Sequence, residues 1–350
     1  MKFATLSAFY DAPFDDVIDV RSPAEYAEDH VPGAISLPVL SNEQRADVGT
    51  MYTQVSPFKA RKLGAALVAR NAADHIAGPL ADHDGAWKPL IYCWRGGQRS
   101  GSFASILTQI GWRADVVDGG YRSYRRLVVN TLHDTPLRHK IILLDGNTGT
   151  AKTDILNRLS KIGVQTVDLE GLASHRGSLF GSVAQGQPAQ KAFESALAHA
   201  FTHLDPTQPT VLEAESSKVG ELLVPSSIWA RMIKAPRITI SAPLNARARY
   251  LTQAYADLIE DPQALAHTLG KLVKFHGHDQ IATWQNMARI GQFEQLAAEL
   301  MERHYDSRYN KSRAAKDHQI LGNLDLPELD SDALDRAALA IKTQITAQNS

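Results

Sequence analysis

Cysteine is almost missing from this 350-residue sequence, which has only Cys93. That excludes an intrachain disulfide and any metal site built on several cysteines, and leaves a reactive Cys93 without a resolving thiol in its own chain. No apolar run approaches the ~20 residues needed to cross a bilayer. Met1-Lys2-Phe3-Ala4 lacks the apolar core of a secretory signal, so a cytoplasmic protein with no membrane partner is expected. An excess of one charge is missing too. Lys+Arg 37 against Asp+Glu 38 leave a formal net charge of -1, so no whole-molecule basic field advertises nucleic acid. Any polyanion site must be a local patch. What is present, 44% hydrophobic and 21% charged residues, is ordinary globular composition and excludes disordered and collagen-like chains. At roughly 150 residues per domain, the length predicts about two domains.

Two blocks repeat a rhythm of short apolar strand, glycine-containing loop and helical stretch, the pattern of α/β units with parallel sheets. In the first, Val17-Ile18-Asp19-Val20 reads as a buried strand, and Ser22-Pro23-Ala24-Glu25-Tyr26 as a capped helix start with proline at its first position. Pro89-Leu90-Ile91-Tyr92 is a strand running into Cys93, and Ser100 to Ile110 has helical spacing. Asp115 to Gly120 reads as a further strand and turn, and Tyr121 to Arg126 as a basic helix joining the blocks. The second block opens with the strand His139 to Leu144 and the amphipathic run Asp154 to Ile162; Val164–Asp168, Thr210–Glu213 and Arg237–Ser241 are further strand candidates. From about Leu244 the pattern is helical, and the tail Gln348-Asn349-Ser350 is expected to fray. The predicted domains are 1–135 and 136–350.

Cys93-Trp94-Arg95-Gly96-Gly97-Gln98-Arg99-Ser100 sits between a strand and a helix, where backbone N–H groups converge on an anion. Such a loop favours thiolate over thiol, and Arg95 and Arg99 add positive charge. A lone cysteine is more often a small buried hydrophobe. The flanking Arg-Gly-Gly-x-Arg favours the reactive reading here, with Cys93, Arg95 and Arg99 as candidate catalytic residues.

Gly146-Asn147-Thr148-Gly149-Thr150-Ala151-Lys152-Thr153 follows a strand and matches G-x-x-x-x-G-K-[ST], except that Ala151 replaces the second glycine. In a P-loop of this kind the amides and Lys152 hold a diphosphate, and the Thr153 hydroxyl would face a Mg²⁺ if one is bound. With Ala151 in the loop, diphosphate binding is the firmer expectation and NTP hydrolysis the weaker. The bland alternative is a glycine-rich turn. Glu213 and Glu215 end another apolar strand, where such a domain places a second acidic element; a solvated strand end is the competing reading. His175 and Arg176, after the strand ending at Asp168, stand where ligands of open α/β sheets gather, and could equally cap or be solvated. For RNA, Arg122, Arg125 and Arg126 with Tyr121 and Tyr124, and Arg247 and Arg249 with Tyr250, interleave charge and aromatics, although charged helix faces are usually just solvated.

The Cys93 loop resembles that of the rhodanese family, together with Asp19-Val20-Arg21-Ser22-Pro23-Ala24-Glu25-Tyr26, His30-Val31-Pro32-Gly33-Ala34-Ile35 and Gly119-Gly120. The resemblance implies a cysteine that carries sulfur as a persulfide inside a cradle of amides and arginine. Asp29 stands where that family has Gly, and Cys93 to Arg99 has the longer C-x5-R spacing of related phosphatase loops, which suits a larger anion. The rhodanese-like block followed by the P-loop block, with the insertion at Asn42–Thr50 and Val55–Gly64, the Gly171–Gly177 segment and Glu213-Ala214-Glu215-Ser216, resembles the tRNA 2-selenouridine synthase family over nearly the whole chain. That implies a rhodanese-like parallel-sheet domain, then a P-loop NTPase-like α/β domain with a helical C-terminal region. It also implies exchange of sulfur for selenium in 2-thiouridine at the tRNA wobble position, U34, through an S-geranyl intermediate made from geranyl diphosphate, with selenophosphate as selenium donor. No tightly bound cofactor and no resident metal are implied, and the partners are tRNA carrying 2-thiouridine and the two small donors. A tRNA or small-molecule sulfurtransferase with an ATP-using P-loop domain is the alternative.

Overall fold

The computed structural model describes residues 1–307 and 319–347; the tail Gln348-Asn349-Ser350 lies outside them. Two units emerge, Met1–Pro136 with Pro188–His203, and Leu137–Gln187 with Leu204–Ser350. A helix from inside the predicted second domain therefore packs with the first.

In chain order the first unit contains α1 (Leu6–Tyr10), β1 (Asp16–Asp19), α2 (Pro23–Glu28), β2 (Ile35–Ser36), α3 (Asn42–Gln54), α4 (Pro57–Ala77), β3 (Pro89–Tyr92), α5 (Gln98–Ile110), β4 (Asp115–Val116) and α6 (Gly120–Val129). Its sheet is parallel, ordered β2-β1-β3-β4. Ile18, Leu90, Ile91, Phe103 and Leu107 are fully buried around it, each worth about 1.5–3 kcal/mol of burial. Ser22 caps α2 in a capping box with Glu25, and Pro23 occupies its first turn.

The second unit holds β5 (Lys140–Gly146), α7 (Lys152–Lys161), β6 (Gln165–Val167), α8 (Leu169–Leu172), β7 (Pro209–Glu213), the short hairpin β8 (Lys218–Val219) and β9 (Leu222–Leu223), α10 (Ser226–Lys234) and β10 (Arg237–Ser241). Helices α11 (Leu244–Ala254), α12 (Ala256–Ile259), α13 (Pro262–Gly270), α14 (Val273–Arg289) and α15 (Phe293–Leu300) follow, then β11 (Ile320–Asp325) and a helix over Ser331–Ala347. The parallel sheet is ordered β11-β10-β5-β7-β6. From β5 the chain winds to one side through β6 and β7, then crosses to β10 on the other. Ligands of open α/β sheets bind at such a reversal. The helical reading after Leu244 needs correction at Ile320–Asp325, an edge strand that pairs with β10.

The helix Gln190–Thr202, α9, lies in sequence between β6 and β7 but belongs to the first unit. It buries Phe193, Leu197, Ala198 and Phe201. Arg125 of α6 pairs with Glu194, and Ser195 Oγ donates to Asp29 Oδ2 at 3.0 Å.

Candidate active sites

Strand β3 delivers Cys93 to the sheet's C-terminal edge, and the chain turns through Gly97 (φ 72°) into the N-terminus of α5. The thiol is 3% exposed, and Ser100 Oγ donates to Sγ at 3.3 Å. On the other side the Cys93 carbonyl accepts the Tyr121 N–H at 2.8 Å, and the Trp94 carbonyl that of Arg122 at 3.2 Å. This is why Gly120 is needed: it has φ +57°, and a Cβ there would lie 2.3 Å from the Cys93 carbonyl oxygen. Trp94 stacks on Tyr121 at 5.3 Å, and the guanidinium of Arg21, paired with Asp19, lies over the Tyr121 ring at 4.0 Å from its centroid.

The two loop arginines have different situations. Arg95 is exposed and lines an open depression with Gly96 and Gly97. Arg99, expected to lend its charge to the sulfur, instead donates to Glu25 at 2.8 and 3.2 Å. Burial alone would raise the Glu25 pKa; the bonds and charge of Arg99, with the Ser22 amide and Arg45, overcome this and hold it down at about 2. Arg99 thus positions the loop through an ion pair.

In the second unit, Gly146 to Thr153 wraps from β5 into α7. A Cβ on Gly146 would meet Thr150 Oγ1 at 2.5 Å and the Ile240 carbonyl at 2.7 Å, while Gly149 has φ +82° against Leu251. Ala151 has φ 58° and ψ 30°, the left-handed backbone that glycine would supply, at a cost of about 1–2 kcal/mol for a residue with a Cβ. The loop therefore keeps its path despite the departure from the motif. Lys152 Nζ donates to the Gly146 carbonyl at 3.0 Å, and Thr153 Oγ1 to Glu170 Oε2 at 3.0 Å. Among the described residues no cluster of three or more His, Cys, Asp or Glu side chains is arranged to hold a metal ion.

The cleft over this loop is lined by Thr148 to Asp154, Glu170, Arg176, Gly177, Glu215 and Tyr250, so Arg176 and Glu215 share it with the loop. Arg176 donates to Asp257 at 2.9 Å and lies over the Tyr255 ring. His175 Nδ1 accepts the Gly177 N–H at 3.2 Å, and burial lowers its pKa. Glu213 is fully buried rather than a solvated strand end, and accepts the Leu169 N–H at 3.1 Å. Burial, then the charges of Asp168 and Glu170, push its carboxyl well up.

Beside the cleft lies an apolar pocket. Thr148, Ser178, Leu251 and Tyr255 line both, and Phe180, Leu258, Leu265, Phe293, Leu296 and Leu300 are among the side chains that complete it. The cleft over the P-loop thus adjoins an apolar pocket.

A rhodanese-like domain model matches residues 4–127, and a model of the tRNA 2-selenouridine synthase AAA domain matches residues 139–272. A tRNA 2-selenouridine synthase of Psychromonas ingrahamii is 35% identical over 254 residues, covering 71% of this chain and 67% of that protein. One from Hahella chejuensis is 31% identical over 296 residues, covering 83% of this chain and 72% of its own length. The chain belongs to the tRNA 2-selenouridine synthase family. One from Nitrosomonas eutropha is 34% identical over 235 residues, with 66% of this chain and 60% of that protein covered. The aligned part is thus under two thirds of some relatives of this family.

Against that family background, the arginines expected to meet RNA divide. Arg122 and Arg126 are exposed, but Arg125 is held by Glu194, and Tyr121 and Tyr124 are buried. Arg247 is buried too: it donates to the Thr148 carbonyl at 2.9 Å and bidentately to Asp306, bracing the P-loop. Arg249 is exposed and pairs with Glu328. The interleaved charge and aromatics of these helices are therefore mainly scaffold. Sequence reasoning missed Glu170, whose carboxyl is pushed up to about 8 by burial and then by the charge of Glu215. Its place directly after the strand ending at Asp168, five residues before His175, was the available signal. The apolar pocket had no motif at all.

Proposed function

We propose that this chain converts 2-thiouridine at the tRNA wobble position to 2-selenouridine in two steps, geranylation and then selenation. The observation that carries the reading is the contiguity of the P-loop cleft with the apolar pocket through Thr148, Ser178, Leu251 and Tyr255. A molecule with a diphosphate head and a hydrocarbon tail fits that combination, and geranyl diphosphate is one. A nucleotide leaves an apolar pocket unused.

In the first step the thiocarbonyl sulfur attacks C1 of the geranyl group. A C–S bond forms, the C–O bond breaks and diphosphate departs. The loop amides and Lys152 face the charge that develops on the leaving group. Lys152 lies over the loop, bonded to the Gly146 carbonyl, and on ligand binding it exchanges that carbonyl for phosphate oxygen. S-alkylation turns a poor leaving group into a good one, so that C2 of the base becomes open to a selenium nucleophile, with geranyl thiol departing as the C–Se bond forms. Cys93 serves this second step at the N-terminus of α5 with Arg95 beside it: the P–Se bond of selenophosphate breaks as water takes the phosphoryl group to phosphate, and the selenide released is the nucleophile that attacks C2.

Mass spectrometry of nucleosides from 2-thiouridine tRNA, incubated with the protein, geranyl diphosphate and selenophosphate, tests this. Wild type is expected to yield selenouridine, Cys93→Ala to accumulate S-geranyl-2-thiouridine, and Lys152→Ala to yield neither. Thiouridine left unchanged by folded wild type, or ATP turnover with no need for a prenyl donor, would favour a sulfurtransferase with an ATP-using P-loop domain instead.

A further inference from the structure

The helical hairpin of α3 and α4 stands out on the first unit. Its two arms run antiparallel: Asn71 Nδ2 donates to Gln44 Oε1 at 2.9 Å, and Gly64 lies against Val48. The turn between them is Val55-Ser56. Helix α3 buries no residue, and α4 only Ala60, Val68 and Ala72. At the tip Phe58 is 71% exposed, Val55 66% and Tyr52 49%, an unusual concentration of large apolar side chains in water. Charge is segregated there as well. Between Val48 and Ala73 the sequence has no Asp or Glu, yet it contains Lys59, Arg61, Lys62 and Arg70, all exposed, in a protein whose net charge is -1.

We infer that this hairpin tip is a tRNA-binding surface, stacking unpaired bases on Phe58 and Tyr52 and meeting phosphates with Lys59, Arg61 and Lys62. The inference rests on the proposal that tRNA is the substrate. Aromatics beside cations, without acids, are the chemistry that holds single-stranded nucleic acid. The hairpin's base is tied to the cysteine loop by one carboxylate: Glu25 takes Arg99 of α5 at 2.8 Å and Arg45 of α3 at 3.0 Å. At about 1.5 Å per residue, α3 then holds the tip about 14 Å along its axis from that anchor. RNA is gripped at the tip, away from the nucleotide that reacts at Cys93.

Fluorescence anisotropy of 2-thiouridine tRNA against the full chain, over a range of salt, tests it. Phe58→Ala is expected to weaken binding about 10-fold. Lys59→Ala/Arg61→Ala/Lys62→Ala is expected to flatten the salt dependence, reducing the slope of log K against log salt by about 2. Both variants should raise KM for tRNA and leave kcat unchanged. These side chains are exposed, and a circular dichroism melt checks that the variants are folded. Wild type that binds while both variants match it in affinity and slope overturns the hairpin and spares the proposed function. Wild type that binds no tRNA overturns both. Hairpin-dependent binding to anionic phospholipid vesicles, with tRNA affinity unaffected by the substitutions, would make the tip a membrane surface instead.

Discussion

Glu170 shows how a single side chain takes its character from distant sequence. Its neighbours in the chain are unremarkable, but the fold sets it against Glu215, under Gly177, where a Cβ would come within 2.4 Å of Glu170 Oε1 and 2.7 Å of Glu215 Oε1. Burial first, then repulsion from Glu215, raise its pKa from 4.5 to about 8. The native state keeps a proton that the unfolded chain gives up near 4.5, so this stabilising contribution is complete below that pH and disappears as pH rises through about 8. Urea unfolding from pH 5 to pH 8 should therefore show stability falling with pH in wild type, and falling less in Glu170→Gln. An equal pH dependence in both would mean that Glu170 ionises freely. Glu25 has the opposite sign. Its pKa near 2 gives stability that is present above 4.5 and lost as pH falls through about 2.

At the scale of elements, much was legible because it is local. Ser22 with Pro23 marks the start of α2, an apolar run marks β3, and the glycines of Gly146 to Thr153 mark the P-loop, although its left-handed turn falls on Ala151, where the glycine pattern breaks. What escaped depends on remote partners. Ile320–Asp325 is a strand because it pairs with β10, and its own pattern of exposure is mixed. Arg99 is held in an ion pair by Glu25, and Arg247 is buried by the demands of Thr148 and Asp306. Helix α9 could be read as a helix, but not the core it covers. Asp29 supplies the reason: where rhodaneses have Gly, this chain has a buried carboxylate that accepts Tyr121 Oη at 2.6 Å and Ser195 Oγ of α9 at 3.0 Å. Ser195→Ala removes one of those donors from a buried oxygen, and should cost about 1–3 kcal/mol in urea unfolding. A smaller change would assign the docking of α9 to Phe193, Leu197 and Phe201 alone.

For the whole molecule, the division into units does not follow the chain. A fragment ending at Pro136 lacks Pro188–His203, and with it the apolar side chains of α9 that pack with α1 and α6. Such a fragment is expected to bind hydrophobic dyes and to melt below a version with residues 188–203 joined through a flexible linker. Equal melting temperatures and no dye binding would show the first unit to be complete without α9.

Helix α9 also orders events in time. A ribosome adds about 5–20 residues each second, so between the emergence of Pro136 and that of His203 there is a wait on the order of 3 to 15 seconds. Throughout that interval the strands around Cys93 are already made, while the carboxylate of Asp29 still lacks Ser195 and the hydrophobic face meant for α9 is uncovered. The cysteine-bearing unit thus finishes folding only after the P-loop has been synthesised, and a nascent chain stalled before residue 188 presents the Cys93 thiol in an unfinished shell.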